Sequence, residues 1–242
     1  MSAALTRDRM EFVLKAALEG LDQIETDRGR SQLSEGHLWT ELVACLLGSA
    51  VSFEVAHTFA EHLRSGGFLD LENFRSNPNR FEQCITKELD RPLPLSSGDG
   101  VARRRYRFPV LRAKHVCRTA TRLYLYGSGL RQLLESSWSE IERRRRLVEV
   151  CIGIGPKQAS LFLRNVGYAT ELAILDVHVL RFMNMVVLNR PARPPGTCLR
   201  AYELLEKRLR SYAEDFGTRL ARLDTAIWVV MRVLQREAMA WL

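Results

Sequence analysis

Apolar side chains recur at three- and four-residue intervals along most of the chain, the spacing that turns one helical face toward a core. The first such stretch, residues 8–24, carries Phe12, Leu14, Leu18 and Leu21. After a polar loop over 25–36, Leu38, Leu42, Cys45, Leu46 and Ser49 predict a helix over 38–50, closed by the small residues Gly48 and Ser49. The next helix, over 53–65, stops at Gly66-Gly67, a C-terminal signal. Asn77-Pro78-Asn79 reads as a turn before a short helix over 81–89, and the proline-, serine- and glycine-rich stretch 91–100 reads as a loop. Further helices are predicted over 110–126, over 130–150 with Leu133, Leu134, Trp138 and Ile141 inward, over 175–188, over 199–215 and over 218–240. No stretch alternates long enough to predict a strand, and no segment repeats. The fold class is all-α, with about ten helices.

Composition narrows the picture little, but charge adds to it. The chain has 242 residues, enough to bury a sizeable core as one large domain or two small lobes. Lysine and arginine number 36 against 28 acidic residues, a net charge of +8, which suits a polyanionic partner without saying anything of fold. Arg103-Arg104-Arg105-Tyr106-Arg107-Phe108 interleaves cations with aromatics, as nucleic-acid contacts do, although a solvated basic segment leading into a helix is the plainer reading. Arg143 to Arg146 wrap around their helix, so at least two of them face solvent. The five cysteines are widely spaced with no C-x-x-C pair, which argues against a zinc site or an iron–sulfur cluster and favours a reducing compartment. The N-terminus has no signal-peptide pattern and no apolar run approaches a membrane span, so the expectation is a cytoplasmic protein, nucleoid-associated if prokaryotic, with no membrane partner.

The chemistry gathers at 151–178. Gly153-Ile154-Gly155 permits a tight turn, Pro156 suits the first position of a new helix, and Lys157 falls in its first turn. Helix, Gly-Ile-Gly hairpin and helix over 147–168 read as a helix-hairpin-helix, which holds a phosphate through backbone N–H groups. Hairpins of this kind often also hold a monovalent cation on their carbonyls. A lone Gly-x-Gly would be weak, since any helix–helix connection produces it. Asp176, 19 positions after Lys157, sits in Leu175-Asp176-Val177-His178, where its carboxylate suits the N-cap of a following helix.

Together these residues resemble the helix-hairpin-helix DNA glycosylase superfamily, most closely the archaeal-type 8-oxoguanine DNA glycosylase/AP lyases. The resemblance is dense over 147–181, through Gly153-Ile154-Gly155-Pro156-Lys157-Gln158-Ala159-Ser160, Phe162-Leu163-Arg164-Asn165-Val166-Gly167 and Leu172 to His178. It continues more thinly through Tyr106-Arg107-Phe108 with Arg112-Ala113, and through Leu223-Asp224 with Ile227-Trp228. It implies two helical lobes with the active site in the cleft between them. Residues 1–50 would pack with a C-terminal lobe (171–242), and 51–170 would form the central lobe. It implies Lys157 as a nucleophile that forms a Schiff base and then β-eliminates, and Asp176 as the charge that stabilises the reacting sugar. An exposed helix lysine and a plain cap are the structural alternatives. His178 would lie near the DNA backbone, unless it is structural. Arg164 and Asn165 would tie helices together. Because a base cannot be reached inside a duplex, it must be flipped out. Trp228, and more distantly Trp241, would stack on it, with core packing the alternative for Trp228. Ser49, Ala50 and Val51 fall in the region of the wedge that enters the DNA stack. No cofactor is required, and the partner is double-stranded DNA carrying a modified base or an abasic site, bound by a monomer.

The chain departs from the family pattern in its extra N-terminal helix, in the Ser49 to Phe53 turn and in its continuation to Leu242. All three lie in base-reading regions. They bear on the choice of base and leave the chemical pair Lys157 and Asp176 intact, and the resemblance makes excision of 8-oxoguanine the first expectation. The alternatives are the same chemistry on a damaged pyrimidine or on a hypermodified cytosine of foreign DNA, and a non-catalytic DNA-binding hairpin protein.

Overall fold

The computed structural model describes residues 7–22, 33–97, 100–188 and 192–240. In chain order these form α1 (Arg7–Asp22), α2 (Glu35–Leu47), α3 (Phe53–Ser65), α4 (Leu71–Ser76) and α5 (Pro78–Asp90). A hairpin of β1 (Leu93–Ser97) and β2 (Gly100–Arg104) follows, then α6 (Pro109–Ala120), α7 (Gly129–Leu134), α8 (Glu140–Val150) and α9 (Pro156–Asn165). The chain ends with α10 (Val177–Phe182), α11 (Leu199–Asp215) and α12 (Leu220–Ala240). Widened π-type turns extend α6 over Thr121–Leu125 and α10 over Met183–Val187.

Polar caps start many of these helices by taking up first-turn N–H groups that lack helical partners. Ser34 accepts from His37 N, Asp70 from Glu72 N, and Asn77 from Arg80 N. Asn77-Pro78 is thus a cap and first residue, which makes the expected turn the start of α5. Ser139 and Glu142 form a reciprocal capping box at α8. That cap divides the single helix expected over 130–150 into α7 and α8. Trp138 lies in the break and is 39% exposed rather than inward.

The chain divides into two compact units, 30–168 and a second made of 1–29 with 169–242. The boundary differs from the expected one in placing α2 with the central helices rather than with α1. In the central unit, Leu38, Leu42 and Leu46 of α2 are buried along with Phe59, Phe74, Phe81 and Phe162. The second unit buries Met10, Leu14 and Leu18 of α1 with Phe182, Met183, Leu209, Leu223 and Ile227. Phe12, expected on the inner face of α1, points outward.

The main departure from all-helical expectation is the β-hairpin. β1 and β2 pair antiparallel from Leu93 with Arg104 to Ser97 with Gly100, across the stretch read as a loop. Leu93 and Leu95 are buried while Pro94 faces out, where its missing N–H is tolerated at an edge. The hairpin delivers the arginine run to the surface: Arg105 pairs with Asp90 at 3.1 Å and Arg103 donates to the Pro92 carbonyl at 2.9 Å. Tyr106, in contrast, is core. Its ring meets Phe59 edge-on at 5.5 Å, and burial pushes its hydroxyl up to about 12. Among the four consecutive arginines, Arg145 and Arg146 face solvent as expected, but Arg144 is fully buried and donates to the Ser160 hydroxyl at 3.3 Å.

Candidate active site

α8 ends at Val150, and the chain reverses through the five residues 151–155 into α9. Thr119 of α6 fixes the entry, its hydroxyl accepting from Ile152 N at 2.9 Å. Gly153 then adopts φ +83°, a conformation that L side chains rarely take. Space excludes a side chain as well, because a Cβ there would lie 2.1 Å from His115 Nδ1. Ile154 is buried and anchors the turn from within. Gly155 is the N-cap with extended backbone, Pro156 takes the first helical position, and no side chain caps α9. Gly153→Ala is therefore expected to cost on the order of 1–3 kcal/mol from backbone strain alone. It should show a lowered thermal midpoint and weaker binding to damaged and undamaged duplexes alike. Equal binding by the variant would refute a hairpin role in DNA affinity.

His115 carries no signal in the sequence, yet it packs directly on the hairpin. Arg112 Nη1 donates to its Nδ1 at 3.2 Å. Burial, and then the neighbouring Arg112 and Arg118, hold its basicity below the usual histidine range. Arg112 Nη2 also donates to the Ser49 carbonyl at 2.9 Å, and Tyr106 Oη donates to the Leu47 carbonyl at 2.6 Å. These two bonds pin the end of α2, where Ala50 takes φ +62° without being glycine. That conformation costs on the order of 1–2 kcal/mol for an L residue. Ala50 is exposed, and Ser49 and Val51 are half-buried on either side. The expected wedge residues thus lie on a strained turn anchored from α6 and the segment before it.

Lys157, in the first turn of α9, is half-buried. It borders a cavity of about 180 Å³ whose walls include Cys45, Gly48, Val51, Phe53, Gln158 and Leu161. α9 is locked to α2 by Asn165, whose Nδ2 donates to Glu41 Oε1 at 2.7 Å, so that residue does tie helices together. Burial, then the adjacent Glu41, pushes the Cys45 thiol well above its usual range, and the thiol behaves as packing.

Asp176 belongs to the other unit and caps α10 as expected, its Oδ1 accepting from His178 N and Val179 N at 2.9 Å each. Buried polar groups hold the extended strand of chain leading to it. Tyr202 Oη accepts from Leu175 N at 3.0 Å and donates to the Ala173 carbonyl at 2.7 Å. Glu206 accepts from Ala173 N at 2.9 Å, and Asp224 from Ile174 N. Tyr202→Phe strands a buried N–H and a buried carbonyl, which should destabilise by about 2 kcal/mol. A urea melt checks this, and an unchanged midpoint would contradict the bracing role.

Trp228, on α12, is 37% exposed, which removes the core reading. The His178 ring meets it edge-on at 6.5 Å, and the Arg232 guanidinium lies over it at 4.7 Å. Trp241 lies outside the described residues.

A family model described as 8-oxoguanine DNA glycosylase matches residues 99–218, a span that includes both Lys157 and Asp176. An 8-oxoguanine DNA glycosylase/AP lyase of Metallosphaera sedula is 30% identical over 209 residues, covering 86% of this chain and 88% of that protein. The chain belongs to the 8-oxoguanine DNA glycosylase/AP lyase family. Within this family, the namesake protein of Sulfolobus acidocaldarius is 39% identical over 124 residues, where the match spans 57% of its length. The crystal structure of the 8-oxoguanine DNA glycosylase of Thermotoga maritima superposes with a TM-score of 0.59 at 27% identity, covering 93% of this chain and 91% of that one. That of Methanocaldococcus jannaschii gives 0.67 at 23% identity, over 91% and 94%, a likeness of fold. Trp228 falls beyond the span matched by the family model.

Proposed function

We propose that the protein is a bifunctional DNA glycosylase/AP lyase that removes 8-oxoguanine from duplex DNA. The observation that carries this reading is Lys157, set by the hairpin into the first turn of α9 at the mouth of a base-sized cavity. A lysine amine attacks only when unprotonated. Its Nζ bonds to C1′ of the extruded nucleotide as the N-glycosidic bond breaks, and the base leaves with that electron pair and takes up a proton. Opening of the sugar ring gives the Schiff base. Loss of a proton from C2′ then expels the 3′ phosphate, and water releases the enzyme.

Asp176 supplies the negative charge that offsets the cation developing at the sugar. The hairpin N–H groups hold a backbone phosphate. The net charge of +8 and exposed arginines such as Arg145 and Arg146 suit the duplex. Trp228, half-open and edge-on to His178, is the stacking surface for the base, with His178 near the DNA backbone.

Incubation with duplexes each carrying one defined base tests the reading. The expected result is release of 8-oxoguanine opposite cytosine together with strand cleavage 3′ to the site. Release of a damaged pyrimidine or a hypermodified cytosine instead would move the activity to another base, and no release from any duplex would leave a DNA-binding role.

A further inference from the structure

Gln158 follows the candidate nucleophile and has no place in the chemistry above, yet it is 5% exposed and lines the same cavity. Its Oε1 is buried with no hydrogen-bond partner among the described residues. Buried polar atoms are nearly always paired, so this orphaned acceptor, on a residue that lines the cavity, asks for a donor. A second, independent feature surrounds the same amide. Gly48, at the end of α2, has φ −71° and ψ −1°, a conformation open to any residue. Its lack of a side chain instead leaves room for Gln158, whose Nε2 would lie 3.0 Å from a Cβ at that position. The other walls mix apolar Val51, Phe53 and Leu161 with polar Glu41, His57 and Asn165. Glu41 and Asn165 are paired with each other at 2.7 Å and His57 stacks on Phe53, whereas the Gln158 acceptor is unmatched. A placed polar group beside apolar walls orients a flat heterocycle.

We propose that Gln158 is a specificity-determining residue that reads a lactam edge of the extruded base. This rests on Lys157 being the nucleophile: the base leaves from C1′, the atom that Lys157 attacks, so it must lie where Lys157 points. A primary amide offers one acceptor beside a donor, and a lactam offers the complementary N–H beside C=O. 8-Oxoguanine has two such edges, N1–H with O6 and N7–H with O8, and guanine lacks the second. Oε1 accepts the ring N–H, and Nε2 donates to the adjacent carbonyl oxygen.

Two activities of the full chain separate this role from a structural one, because a preformed abasic site has no base to read. In Gln158→Met, of similar length and without the amide, the ratio of 8-oxoguanine release to abasic-site cleavage should fall about 10- to 100-fold, the value of a lost hydrogen-bond pair. Gly48→Ala, which intrudes on Nε2 while keeping the glutamine, should lower the same ratio and decides the matter if Gln158→Met does not fold. An unchanged ratio in a folded variant overturns the proposal, as does a proportional loss of both activities. Failure of the wild type to trap on abasic DNA or to release 8-oxoguanine would sink the reading of the site itself, and is seen without any variant.

Discussion

Lys157→Gln should abolish the covalent protein–DNA adduct that borohydride traps from the wild type, and lower base release by at least about 1,000-fold. The amide is close to lysine in length but has no nucleophilic nitrogen, so no Schiff base forms for borohydride to reduce. Nothing else about the site should change. Lys157 is half-buried at a cavity edge, whereas α9 is held by Asn165 on Glu41 and by the buried Phe162 and Leu163. The thermal midpoint should therefore stay within a few degrees of wild type. Affinity for duplex DNA should also survive, since the hairpin grips through backbone N–H groups rather than through this side chain. Denaturing gels after borohydride treatment of an abasic-site duplex make the comparison directly. An adduct of undiminished yield in the variant would remove Lys157 from the nucleophile's role.

The hairpin could be read from sequence because its geometry is dictated by rare residue choices. A positive φ at Gly153 and a proline at the first position of α9 are demands that few residues meet, so Gly-x-Gly-Pro-Lys carries its structure openly. Asp176 was legible for the same reason, as a short carboxylate before an apolar helix. What supports these residues was not. Tyr202, Glu206 and Asp224 satisfy backbone groups at 173–175 from distant helices, and each looks from sequence like one more polar position on an amphipathic helix. Buried Arg144 was hidden among four arginines for the same reason.

Other misses did leave a local trace. Ser139 followed three residues later by Glu142 is a capping box, and that signal would have split the helix expected over 130–150 and freed Trp138 from its inner face. The β-hairpin left almost none. Among the described side chains of the hairpin, Leu93 and Leu95 alternate inward, around a proline, which is too short a pattern to separate a strand from a loop. The same limit applies to the cavity: Gly48 and Gln158 are 110 positions apart (48 to 158), and only the packing of α2 against α9 makes them neighbours.

Asp176→Asn should separate the two roles that one carboxylate fills. Asparagine keeps an Oδ1 that can accept from His178 N and Val179 N, so the cap of α10 survives and the thermal midpoint should shift little. The negative charge is lost. A fixed charge directed at a developing cation is worth roughly 100- to 1,000-fold in rate, and base release should fall by that factor. Asp176→Ala removes cap and charge together, so it should match the asparagine variant in activity and lie about 1 kcal/mol below it in stability. That ordering is the informative result. Equal stability of the two variants would mean that the cap contributes nothing measurable. Base release near the wild-type rate in Asp176→Asn would leave Asp176 as a cap alone, and the charge at the sugar would have to come from elsewhere. Among the buried carboxylates, Glu206 and Asp224 are already committed to backbone N–H groups and brace the segment that ends at Asp176.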